Sequence, residues 1–118
     1  MTGPEKSRQL ARLGTLTDLM LDARLADLRG AAAARDASLA RLADLARPAA
    51  ATDLPDMAAA EVEMRYQRWA DQRRAEINLT LARQTAAWLD ARQAATLAFG
   101  KSQVLDGLAR VLRKEAGR

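Results

Sequence analysis

The chain has 118 residues, enough for one domain at most, with 49% apolar, 29% charged and 3% aromatic side chains, and a net charge of +4. It contains no Cys and no His, which excludes disulfides, zinc sites of the usual Cys/His type and histidine acid–base catalysis. Alanine, leucine and arginine dominate and β-branched residues are sparse, so summed propensity makes the fold all-α.

The first predicted helix covers about residues 4–47. Thr2 or Gly3 serves as its cap, and Pro4 falls in the first turn, where a missing N–H costs nothing. Pro48 ends it, because proline cannot donate and disfavours α geometry in the residue before it. Leu21, Leu25, Leu28, Ala32, Arg35, Leu39, Leu42 and Ala46 recur at 4-3-4-3 spacing, the seam of a coiled coil with Arg35 as one intruder. Upstream, Leu10, Leu13, Leu16 and Met20 keep that spacing in a shifted frame, which predicts a stutter near residues 16–21. A turn is expected over 48–53.

The second predicted helix covers about residues 54–115, with Asp53 as its cap and Pro55 in its first turn. Its seam reads Val62, Tyr66, Trp69 or Ala70, Arg73, Ile77, Leu81, Gln84, Trp88, Ala91, Ala95, Ala98, Ser102, Leu105, Leu108 and Leu112. Gly100 is a candidate kink. Two long helices and one break predict a single antiparallel coiled-coil hairpin. Closure at the break pairs Leu39 with Val62, Ala32 with Trp69 and Leu13 with Trp88, and it predicts that Ala32→Leu clashes with Trp69.

At 1.5 Å per residue the helices span roughly 65 Å and roughly 90 Å. In this register the excess falls at the C-terminus, where Phe99, Val104, Leu105, Leu108, Val111 and Leu112 lack a counterpart in the first helix. Such a stripe either packs within the chain or on a copy of itself, or it docks on a partner. Arg110, Arg113 and Lys114 stand in the same segment. Residues 1–12 and 101–118 together hold eight basic and three acidic side chains, a balance of +5 that leaves −1 for everything else. That basic end serves solubility and the negative pole of a helix, or it steers the chain toward an acidic protein surface.

Catalytic signals are absent. Asp18/Asp22 and Glu61/Glu63 read as solvated faces. Gly100-Lys101-Ser102 lacks the upstream glycine and the strand of a phosphate-binding loop. No cofactor, metal or catalytic residue is assigned, and the expected class is not an enzyme. The basic end carries no interleaved aromatics, so nucleic acid ranks below protein as a partner. The first twenty residues carry Glu5, Lys6, Arg8, Arg12 and Asp18 and no apolar run. No stretch approaches membrane-spanning length, so no membrane insertion and a cytoplasmic location are expected.

In architecture, and in the stretches Arg73-Arg74-Ala75-Glu76-Ile77-Asn78-Leu79-Thr80-Leu81-Ala82 and Ala98-Phe99-Gly100-Lys101, the chain resembles the FliJ/YscO-like proteins of flagellar and other type III export systems. The resemblance implies a coiled coil similar to the central stalk of rotary ATPases. Its paired termini would engage a hexameric export ATPase, and another part would contact the export gate and substrate chaperones. The chain departs from that pattern in its shorter length and in Gly14, Gly30 and Gly100. The alternative is a self-assembling scaffold, a homo-oligomer in which the C-terminal stripe pairs with itself.

Overall fold

A computed structural model describes residues 2–47 and 53–117, which form two α-helices and no strand. Helix α1 runs Gly3–Leu45 and α2 runs Asp56–Ala116. Most of the expected turn, residues 48–52, lies outside the described residues.

Local chemistry sets the helix ends. Thr2 and Glu5 form a reciprocal capping box: the Glu5 N–H donates to Thr2 Oγ1 at 3.4 Å, and the Thr2 N–H donates to Glu5 Oε2 at 3.3 Å. Of the two expected caps, Thr2 is therefore the one used. At the other end of α1 the Arg47 N–H reaches back three residues to the Asp44 carbonyl, tightening the last turn. Helix α2 begins later than expected. The Pro55 carbonyl accepts the first helical bond, from the Ala59 N–H at 2.8 Å, so Asp53 and Leu54 precede the helix. Pro55 disfavours helical geometry at Leu54, which accounts for the delay. The helix continues unbroken through Gly100 and Gly107 to Ala116, and no fold-back occurs at Gly100.

The described residues pack as two compact units, Ala32–Ala87 and Met1–Ala31 with Trp88–Arg118. In the first of these, Leu45, Ala70 and Ile77 form a small core, with Leu42 and Tyr66 packed at its edge. Three polar contacts join its helices. Arg35 Nε donates to Thr85 Oγ1 at 3.3 Å, Ser38 Oγ donates to Gln84 Oε1 at 2.5 Å, and Arg74 Nη2 donates to the Leu45 carbonyl at 3.3 Å. As positions on α1 rise, their partners on α2 fall, and 35 with 85, 38 with 84 and 45 with 74 total 120, 122 and 119.

These totals correct the register expected from closure at the break. That register sets Arg35 beside Tyr66, Ser38 beside Glu63 and Gln84 beside Thr17. Polar groups inside a helix pair require hydrogen-bond partners, and the observed offset supplies them. Ser38 is 1% exposed and bonded, whereas Trp69 is 55% and Val62 50% exposed, so neither meets its expected partner. The unmatched stretch is consequently the start of α2. Its residues before Tyr66 are mostly exposed, because α1 ends level with Arg74.

In the second unit, Ser102 Oγ donates to Asp18 Oδ1 at 3.0 Å, and 18 with 102 totals 120. The line of α1 that turns inward is Leu10, Gly14, Thr17, Leu21, Leu25 and Leu28, all half-buried. Its two successive steps of four, Thr17 to Leu21 to Leu25, interrupt the 4-3 alternation near the expected stutter, but Leu13, Leu16 and Met20 point outward. On α2 the inward line is Trp88, Ala91, Ala95, Ala98, Ser102, Leu105, Ala109 and Leu112. Ala109 replaces the expected Leu108, a one-residue rotation that the helical period alone leaves open.

Candidate functional site

The terminal unit has two unlike sides, and helical spacing decides what each carries. On one side a shallow groove of about 180 Å³ is lined by Thr17, Met20 and Arg24 of α1 and Ala94, Leu97, Ala98 and Lys101 of α2. Stepping from Met20 by four and three residues gives Leu16 and Leu13 on the same stripe, and stepping from Leu97 gives Lys101, Val104, Leu108 and Val111. Leu13, Leu16 and Met20, together with Leu97, Val104, Leu108 and Val111, are each between 47% and 63% exposed. They make a contiguous apolar face. The Asp18–Ser102 bond sets the level, placing Leu16 beside Val104 and Leu13 beside Leu108.

The opposite side mixes charged and hydroxyl groups with apolar ones. Its groove is lined by Ser7, Ala11, Thr15 and Asp18 of α1 and by Asp106, Ala109 and Arg113 of α2, with Leu10 and Leu112 at its floor. Arg110 and Lys114 flank Arg113 and are exposed. Among the described residues the ion pairs are Arg24–Asp27, Arg47–Asp44, Arg73–Glu76 and Arg74–Asp71, and none of them engages these three cations. Arg110, Arg113 and Lys114 therefore present their charge outward near the C-terminal end of α2, beside the negative pole of the helix.

The residues proposed from sequence as one partner-binding stripe thus divide three ways. Val104, Leu108 and Val111 lie on the exposed apolar face. Leu105 and Leu112 are half-buried and line a groove with Leu10 and Gly14 of α1, so the expectation that they lack a counterpart in the first helix is corrected. Phe99, 54% exposed, is seven residues from Asp106 and belongs to the opposite, mixed side. Leu13, Leu16, Met20 and Leu97 join the face without having been foreseen. The shifted seam had claimed the three α1 residues, and Gly14 and Thr17, which occupy that seam, carry no apolar signal in sequence.

Exposed pairs elsewhere follow ordinary helix electrostatics. Arg24–Asp27 and Arg73–Glu76 form i,i+3 pairs at 3.3 and 3.0 Å. Asp44 pairs with Arg47, and Asp71 with Arg74. An acidic residue placed N-terminal to its basic partner agrees with the helix dipole. Each such pair contributes about 0.5 kcal/mol or less, so none of them fixes the fold.

Among the described residues no group of three or more acidic side chains could hold a metal ion, and no helix is long and apolar enough to cross a membrane. Comparison with protein-family models, with curated proteins and with solved structures yields no match.

Proposed function

We propose that this chain is a non-catalytic protein-interaction component, built as an antiparallel coiled-coil hairpin and working through the end where the start of α1 and the finish of α2 pack in one unit. One observation carries the reading. Half of the side chains on the two inward lines of that unit are small, among them Gly14, Thr17, Ala95, Ala98 and Ser102, while Leu13, Leu16, Met20, Leu97, Val104, Leu108, Val111 and the cations Arg110, Arg113 and Lys114 face outward. A stripe of seven large apolar side chains left on the surface is suited to contact with another protein.

The resemblance to FliJ/YscO-like proteins gives this reading its specific form: a stalk component of a flagellar or other type III export system, in the cytoplasm, whose terminal end meets a hexameric export ATPase. The outward cations support it, since they would steer the end toward an acidic surface. The test is binding to the ATPase hexamer at two ionic strengths. Wild type should bind, and Arg110→Glu with Arg113→Glu should weaken binding about tenfold or more while helix content is unchanged. Absence of binding, or binding indifferent to both substitutions, refutes the stalk assignment.

A further inference from the structure

We infer that the apolar face of the terminal unit is covered by a second copy of this chain, giving a four-helix layer in which α1 of one copy lies on α2 of the other. The inference rests on the antiparallel pairing within the unit, but not on the identity of any other partner. Three features of the face select a second copy.

The first is area. At about 30 Å² of apolar surface per methylene, seven half-exposed side chains of this size offer roughly 400 Å² per copy. The aliphatic stems of Lys6, Arg24 and Lys101 around them carry the total for two copies past the ~1,000 Å² that a specific interface needs.

The second is level. Leu16 stands level with Val104 and Leu13 with Leu108. A two-fold axis running parallel to the helices sets α1 against α2 of the other copy at unchanged levels. Leu16 then meets the partner's Val104, and Leu13 meets the partner's Leu108. Every contact occurs twice, as an isologous interface requires.

The third is charge. Lys6 lies seven residues before Leu13 on its stripe, and Glu115 lies seven residues after Leu108. They stand level across the unit, so the same axis brings Lys6 against the partner's Glu115 and Glu115 against the partner's Lys6. The apolar patch is thereby bordered by opposite charges at its terminal end. Its inner end carries Arg24 and Asp27, which are already paired with each other at 3.3 Å. Lys101 adds one positive charge on the stripe, and a face of such mixed sign suits a copy of itself better than a uniformly acidic or basic partner. The outward cations Arg110, Arg113 and Lys114 stay off the interface.

Light scattering and sedimentation equilibrium of the full chain at micromolar concentration test the inference. Wild type should show twice the chain mass. Leu16→Asp with Val104→Asp should raise the dissociation constant about tenfold or more, with circular dichroism reporting whether helix is retained. Should that variant lose helix, charge reversal decides: Lys6→Glu and Glu115→Lys should each weaken the dimer, and the two together should restore it. A wild-type monomer overturns the inference, as does a dimer insensitive to all these changes. A monomer that still binds the ATPase leaves the proposed function standing, and a dimer that binds no ATPase leaves the inference standing.

Discussion

Ile77→Ala is the sharpest probe of the packing. Ile77 is 5% exposed and belongs to a core of three residues, with Leu42 and Tyr66 at the edge. The substitution removes three buried side-chain carbons, worth about 0.8 kcal/mol each, or roughly 2.4 kcal/mol of transfer free energy. A cavity term normally adds to this. Here the term is small, because a core at a two-helix interface is open at its sides and the neighbouring chains can relax into the gap. The expected cost is therefore about 2.5 kcal/mol, near the lower end of isoleucine truncations. Leu79, only two residues away and 58% exposed, supplies the control: Leu79→Ala should cost about 0.5 kcal/mol or less. Urea unfolding followed by circular dichroism, at one protein concentration for all variants, measures both. An Ile77→Ala cost below about 1 kcal/mol, or one no greater than that of Leu79→Ala, refutes the assignment of Ile77 to a core.

Three further outcomes follow from contacts already described. Ala70→Leu should lower stability by about 1–3 kcal/mol through overpacking, since Ala70 is 0% exposed, whereas Ala32→Leu should melt close to wild type because Trp69 is not its partner. Equal losses in the two would favour the rejected register. Ser38→Ala should cost about 1–2 kcal/mol by stranding Gln84 Oε1, and adding Gln84→Leu should recover most of it in the same urea assay. A double variant no better than the single one would show that the bond does not set the pairing. Gly14→Ala and Gly30→Ala should each stabilise by up to about 1 kcal/mol, because an added Cβ meets nothing within 4 Å and both residues are helical. A lowered melting temperature for either would contradict the space found around it.

The seam of α2 was legible almost residue by residue. Tyr66, Ala70, Ile77, Leu81, Gln84, Trp88, Ala91, Ala95, Ala98, Ser102, Leu105 and Leu112 all turn inward as the spacing indicates. The misses are instructive. Val62 fits the period but lies beyond the point where α1 ends, and period carries no information about where a partner helix stops. Leu13, Leu16 and Met20 were placed inside because, with Leu10, they keep the seam spacing in a shifted frame. The structure instead puts Gly14 and Thr17 there. The candidate site suffered in the same way: Val104, Leu108 and Val111 were named for the surface, but half of the face they belong to was assigned to the interior.

The sequence by itself determined the class of structure: two long helices, their approximate ends, and the inward line of the longer one. Those properties are local, written in propensity, proline position and the 3.6-residue period. The tertiary structure alone decided which level of α1 meets which level of α2. That choice depends on pairing Ser38 with Gln84, Arg35 with Thr85 and Asp18 with Ser102, contacts between positions 46 to 84 residues apart. Hydrophobic periodicity is nearly indifferent to sliding one helix along another by whole turns. Buried polar groups are not, because a slipped register breaks the specific bonds that Ser38, Arg35 and Asp18 make and sets other groups against them.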